Sequence, residues 1–380
     1  MKPLLNLEDD LTVPPPGLMR VPNTVEICIT GRCNLSCRYC FYADEMSALK
    51  DLPKERWLTF FREMGSLGVQ RVTLSGGEAF TRPDIFELID SLIDNKMRYS
   101  LLTNGTLITE EIVDSFNAGK RRQRLDSIQF SIDGSCAEVH DASRPPKSFD
   151  RAMRGLRLMK EGGFPLAVRV TVNRYNLHDL ENVARLLLED MGLSSFGTNE
   201  ADRFGSAKCY GQDVMLTPAE RLAAMRTLKG LAMRYPGRIA AAAGPLAMAK
   251  MIEDIEDRQS RGETGRLGRG TLCSCGGAFQ KLAVLHDGTI VPCNLLPDFK
   301  MGEIGRTPLL EAWLHGEAIN ALRRRRSIPL SSLPECRGCG YTGFCAGGCP
   351  AVVYAKSGRL DAIDPGVCYR QFKEMNYVDL

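Results

Sequence analysis

The chain has only four histidines and two tryptophans in 380 residues, so a metal site built on imidazole would have few ligands to draw on. It also lacks an excess of either charge: 49 Lys and Arg against 46 Asp and Glu leave +3. That balance gives no electrostatic footprint for nucleic acid. No apolar run approaches the roughly 20 residues that span a bilayer. The opening stretch, MKPLLNLEDDLTVPPPG, turns acidic and then proline-rich before its apolar part reaches signal-peptide length. These absences predict a cytoplasmic globular protein with no nucleic-acid or membrane partner. What is abundant is cysteine. There are fourteen, and in a reducing compartment they point to metal ligation rather than disulfides.

Three of them, Cys33, Cys37 and Cys40, fall within the eight residues CNLSCRYC. A closed zinc site or a complete iron–sulfur cluster normally takes four protein ligands, so this set is one short. A cubane held by three thiolates leaves one iron open to a ligand from outside the chain. Tyr39, just before the third cysteine, could cover a planar ring.

From residue 23 to about 200, short β-branched runs alternate with amphipathic helical stretches. TVEICIT, RVTLSGGE, YSLLTNG, SIQFSIDG and LAVRVTVN read as strands, with SFGTNEA as a weaker sixth. Strict alternation predicts a parallel sheet with right-handed crossovers. The polar signatures, namely the three cysteines, SGGE, TNG and SIDG, sit where strands end, which is where a βα barrel builds its active site. Residues 217–260 read as helical, opening on Thr217-Pro218, and the glycine-rich 261–270 reads as a hinge. Beyond it, KLAVLHDGTIVPC reads as a hairpin turning on Asp287-Gly288. The expected division is a 1–22 extension, a 23–216 barrel, a 217–270 helical bridge and hinge, and a cysteine-rich 271–380 domain.

CxxxCxxC with an aromatic before its last cysteine, following a first strand, resembles the signature of radical S-adenosylmethionine (SAM) enzymes. The resemblance implies an α/β fold, a partial (β/α)6 TIM-like barrel. It also implies a 4Fe–4S cluster whose open iron is chelated by the amine and carboxylate of SAM, cleaved on reduction to a 5′-deoxyadenosyl radical. Gly76, Gly77 and Glu78 resemble the GGE motif that holds the SAM amine, the glycines permitting close approach to the ligand. Ser131 and Asp133 of SIDG resemble the ribose-side motif, Arg144 matches an arginine near the SAM carboxylate, and Asn104 of TNG joins the SAM set. An Asn-Gly turn by itself also accounts for Asn104.

Eight cysteines follow the hinge, including the run C-x2-C-x5-C-x3-C at 336–349. Paired C-x2-C knuckles also suit zinc. Their order, with Gly288-x4-Cys293 upstream and Cys368 beyond, resembles the SPASM domain of peptide maturases, which carries two auxiliary iron–sulfur clusters, here taken as 4Fe–4S. Carried over, Cys336, Cys339, Cys345 and Cys368 hold the distal cluster, and Cys349 joins Cys293, Cys275 and Cys273 on the proximal one. Cys273 and Cys275 stand closer than is usual there, and if one does not bind, the proximal cluster keeps an open iron. Of the rest, Cys28 reads as core, Cys136 as incidental, and Cys209 as a candidate hydrogen donor near the barrel mouth. KRRQR (120–124) and RRRR (323–326) read as solvated faces, and Trp57 and Trp313 as core.

The resemblance implies an oxidoreductase that modifies a peptide or protein side chain by cross-linking, oxidation or decarboxylation, reduced by a flavodoxin or ferredoxin. Some 22 residues precede the first strand, too few for a leader-binding domain, so leader recognition falls to a separate protein or to this core. One alternative is a sulfatase-maturase-like formylglycine former, but those enzymes place an aspartate where this chain has Asn294, an amide that takes no proton. Another is a dehydrogenase or epimerase of a small molecule. From a different class comes a non-catalytic iron–sulfur electron-transfer protein.

Overall fold

Ten strands make one sheet in the computed structural model, which describes residues 17–46, 51–273 and 275–374. Residues 1–16 of the expected extension lie outside the described residues. The strands are β1 (Thr24–Cys28), β2 (Arg71–Ser75), β3 (Arg98–Thr103), β4 (Leu125–Ser131), β5 (Leu166–Val172), β6 (Phe196–Glu200), β7 (Ile239–Ala241), β8 (Lys281–Val284), β9 (Thr289–Val291) and β10 (Gly302–Glu303). The first seven lie side by side in chain order and parallel. The sheet does not close, as expected of a partial barrel.

The far side of β1 is occupied by β8, parallel to it, with β9 and β10 continuing antiparallel. The expected hairpin at 281–293 is therefore present, and it extends the barrel sheet itself. Residues 217–260 are not helical throughout. Helices Pro218–Arg234 and Pro245–Ser260 flank β7, which adds a seventh parallel strand. The first of these opens on a reciprocal capping box, Thr217 with Glu220.

Helices cover one face of the sheet. Lys54–Leu67 buries Trp57, Phe60, Phe61 and Met64, one stripe at helical spacing, and ends at Gly68, whose φ of 87° permits the left-handed cap. Beneath such helices the sheet presents Ile27, Leu74, Leu101, Phe130 and Val170, all with no accessible surface. The opposite face differs. Glu26, Thr73, Ser100, Gln129, Arg169 and Asn199 occupy it, all half-buried. A parallel sheet covered on both sides reads apolar on both, so this polar inner face belongs to an accessible lumen. No helix among the described residues is long and apolar enough to cross a membrane.

One basic run departs from expectation. KRRQR is largely exposed, but Arg323 and Arg325 of RRRR are buried, at 2% and 0% exposure. Arg323 is held by the carbonyls of Ala278 (2.9 Å) and Trp313 (2.7 Å) and lies over the Trp313 ring. Backbone acceptors and an aromatic face replace part of what water would have given, with Nη2 buried and without a partner among the described residues.

Candidate cofactor and cluster site

The loop after β1 carries Cys33, Cys37 and Cys40 and is held by main-chain hydrogen bonds. Gly77 N–H donates to Thr30 O (2.9 Å), Glu78 N–H to Arg32 O (2.8 Å), and Arg38 N–H to Ser143 O (2.9 Å). The glycines of SGGE owe their identity to this contact. A Cβ on Gly76 would stand 2.3 Å from Thr30 O, and one on Gly77 2.1 Å from Arg32 O. The close approach seen here is to the cysteine loop.

Two supports carried no signal in the sequence. Ser206 donates from Oγ to Cys37 O (2.8 Å) and from N–H to Cys40 O (3.0 Å), and a Cβ on Gly205 would meet Cys40 O at 2.1 Å. Asp51 accepts from the Thr30 hydroxyl and the Gly31 N–H, both at 2.7 Å, which pins the loop's first turn. Cys209 lies exposed on the short helix Ala207–Tyr210, directly after Ser206.

The three thiols act on one another electrostatically, and burial pushes Cys33 up to about 12, Cys40 up to about 11, and Cys37 upward as well. Such thiols keep their protons until a metal displaces them. Three half-buried thiols on one rigid loop fit a cluster that takes three protein ligands. Among the described residues, no three His, Cys, Asp or Glu side chains converge tightly enough for a single metal ion.

Asp133 has no accessible surface. Its carboxylate accepts from Arg144 Nε (2.6 Å), Thr171 N–H (2.7 Å) and the Tyr39 hydroxyl. Arg144 in turn lies over the Tyr39 ring and points Nη1 at Cys37 Sγ, 3.9 Å away. A buried carboxylate engaged in this way aligns Arg144 and Tyr39 beside the cysteines. Ser131, at the end of β4, is half-buried. Asn104 turns its Oδ1 to Thr106 N–H (2.9 Å) and its Nδ2 to Asn34 (3.0 Å), so its side chain ties the β3 end to the cysteine loop.

Glu78 is buried and accepts from Asn104 N–H (2.7 Å), the Thr103 hydroxyl (2.9 Å) and Phe80 N–H (3.3 Å). Burial outweighs these donors and pushes its carboxyl from 4.5 up to about 7. The folding stability contributed by this raised group is fully present below 4.5 and is lost as pH rises through about 7. The pairing with the SAM ammonium expected of Glu78 would have the opposite sign, because it would need the ionised carboxylate. SAM affinity of the cluster-loaded protein should therefore be about tenfold lower at pH 6 than at pH 8 by equilibrium binding, with the slope removed in Glu78→Gln. A pH-independent affinity in the unmodified protein would count against Glu78 as the ammonium partner.

The C-terminal thiols fall into two groups. Cys336, Cys339, Cys345 and Cys368 line one cavity between small apolar clusters, and burial pushes Cys336 up to about 11. Cys275, Cys293 and Cys349 act on one another elsewhere, with Cys293 pushed up to about 12 by burial. Cys273 turns its thiol to Gly268 O at 2.9 Å. In the sheet Cys293 follows β9 alongside Lys281, which pairs in register with Thr24 at the start of β1. The Cys33 loop leaves the other end of β1. Cys293 and the Cys33 loop thus lie at opposite ends of β1, whose five residues span roughly 16 Å. Lys281 and Glu26 pair on that face at 2.5 Å, and both act on Cys293.

The radical SAM superfamily model matches residues 27–187, and the SPASM iron–sulfur cluster-binding domain matches residues 273–340. The chain is 28% identical to an AdoMet-dependent heme synthase of Methanosarcina barkeri, over 94% of this chain and 99% of that one. It is also 28% identical to a PqqA peptide cyclase of Ruegeria pomeroyi, over 95% of this chain and 89% of that one. Among solved structures, Streptococcus suis SuiB bound to its precursor peptide SuiA superposes with a TM-score of 0.70, at 18% identity, covering 93% of this chain and 77% of SuiB. The protein anSMEcpe, with bound AdoMet and a peptide, gives 0.67 at 19% identity, covering 93% and 96%.

Proposed function

Because this chain carries a radical SAM domain followed by a SPASM domain, it is a radical SAM/SPASM enzyme, and we propose that it acts on a side chain of a peptide or protein. When bound, SAM and the 4Fe–4S cluster would supply radical chemistry able to take a hydrogen atom from the substrate. In this reading Cys33, Cys37 and Cys40 hold that cluster, Glu78 pairs with the SAM ammonium, and Arg144, braced by Asp133, stands at the carboxylate. Cys273, Cys275, Cys293 and Cys349 hold the proximal auxiliary cluster, and Cys336, Cys339, Cys345 and Cys368 the distal one.

The observation that carries the reading is the polar inner face bounded at either end of β1 by a thiol set. A substrate lodged there lies between the group that generates its radical and one that can take the resulting electron. The similarity to a PqqA peptide cyclase along nearly the whole chain supports a peptide. Formylglycine formation is less supported, because Asn294 stands beside Cys293, its Oδ1 3.6 Å from the sulfur, and an amide cannot act as base.

The similarity to a heme synthase, almost end to end, favours a second reading, action on a porphyrin in heme formation. The two are separated by one experiment. Reduced, cluster-loaded enzyme with SAM is incubated with candidate precursor peptides and, separately, with iron coproporphyrin III, and the products are weighed by mass spectrometry. A peptide losing hydrogens or carbon dioxide, with the porphyrin unchanged, is the expected result. A changed porphyrin with every peptide inert would overturn it.

A further inference from the structure

Arg325 opens the short 3₁₀ turn Arg325–Ser327 and has no accessible surface. Its Nη2 reaches Ala362 O at 3.5 Å, while Nε and Nη1 are buried without an acceptor among the described residues. Two orphaned donors on a buried cation are costly, and arginine does not escape the cost by losing its proton. Something that accepts hydrogen bonds and carries negative charge belongs beside it.

The groups that act on Arg325 identify that acceptor. Burial draws its pKa down, and the thiols of Cys349 and Cys275, then Asp361, then Cys273, act in the opposite direction. Asp361 gives its Oδ1 to Arg359 at 2.9 Å and accepts from no nitrogen of Arg325, so the sulfurs are the remaining groups. These are three of the four residues assigned above to the proximal auxiliary cluster.

We propose that Arg325 is a positioning residue for the proximal cluster, its Nε and Nη1 donating to sulfurs held at Cys275 and Cys349 and its charge raising that cluster's reduction potential. The inference rests on the assignment of Cys273, Cys275, Cys293 and Cys349 to a cluster. A cubane with thiolate ligands is anionic and becomes more so on taking one electron, so a buried cation favours the reduced form. Hydrogen bonds to the sulfurs act in the same direction. No bond is made or broken in this step. One electron enters from the substrate radical, which is oxidised as the cluster is reduced.

The test is a redox titration of fully loaded protein followed by electron paramagnetic resonance, with each cluster's signal assigned by its cysteine variants. Arg325→Gln should lower the reduced-to-oxidised ratio of the proximal cluster at a fixed potential about tenfold, about 59 mV for one electron. The other two midpoints should be unchanged. Arg325→Lys, which keeps the charge without the forked donors, should shift it the same way by less, and it serves if the neutral variant does not load. Loss of iron from the proximal site alone in both variants, with normal circular dichroism, also supports the proposal. An unchanged proximal midpoint in a loaded variant overturns it. So does loss of the fold in both variants before iron is added, which would make Arg325 a folding residue. If the unmodified protein shows no signal that disappears in Cys349→Ala, the cluster assignment itself fails, and the two failures are thereby told apart.

Discussion

Replacing Cys33, Cys37 and Cys40 together by alanine is expected to abolish 5′-deoxyadenosine formation, leaving only the background seen without enzyme. The structure makes this a clean test, because the loop is held mostly by main-chain bonds and little by its thiols. The bonds from Gly77 to Thr30, Glu78 to Arg32, Arg38 to Ser143 and Ser206 to Cys37 and Cys40 all use main-chain atoms of the loop, which alanine retains. Each substitution removes one half-buried sulfur, worth on the order of a buried methylene, about 0.8 kcal/mol. The variant should therefore fold, keep both auxiliary sets, and lose iron by about four atoms per chain. Continued release of 5′-deoxyadenosine, measured anaerobically with dithionite and SAM, would mean that the radical arises elsewhere.

The parts of this site that were legible in the sequence are those encoded locally. A strand followed by CxxxCxxC, a strand followed by SGGE, and alternation through six strands placed the motifs at one end of a parallel sheet, and the structure has that arrangement. Contacts between distant segments were not legible. The glycines of SGGE face the cysteine loop because β2 pairs with β1, and no local pattern states which backbone they approach. Ser206 and Gly205 support the cysteines from 165 or more residues downstream, in a stretch with no signature at all. β7 is three residues of Ile-Ala-Ala between two helices, too short for a period to register. RRRR reads as a solvated face because four like charges usually are one. Arg323 and Arg325 depart from that because the fold buries them against backbone carbonyls and, for Arg323, an aromatic ring.

A Cys345→Ala variant is expected to keep SAM cleavage within about twofold while losing product by about a hundredfold, a split that loss of the first cluster cannot mimic. The reasoning is spatial. Cys345 belongs to the thiol group framed by helix Pro245–Ser260 and by two small apolar clusters, one built on Met248, Ile252 and Phe344, the other on Leu272, Leu330 and Leu333. The Cys33 loop and Glu78 follow strands of the sheet, Arg144 caps the helix Ala137–Ser143, and the main core is separate. A change at Cys345 therefore leaves the SAM residues in place, while any electron leaving the lumen through the distal cluster loses its route. The same smallness of the local core means that the cluster contributes to folding by joining residues 336–345 to 368. Circular dichroism and iron content must then be read together, with iron falling from about twelve to about eight atoms per chain in a variant that remains folded. Under those conditions retained cleavage with lost product identifies the distal cluster as an electron relay. Full product from a folded variant lacking it would make that cluster a structural cross-link and leave electron transfer to the proximal site alone.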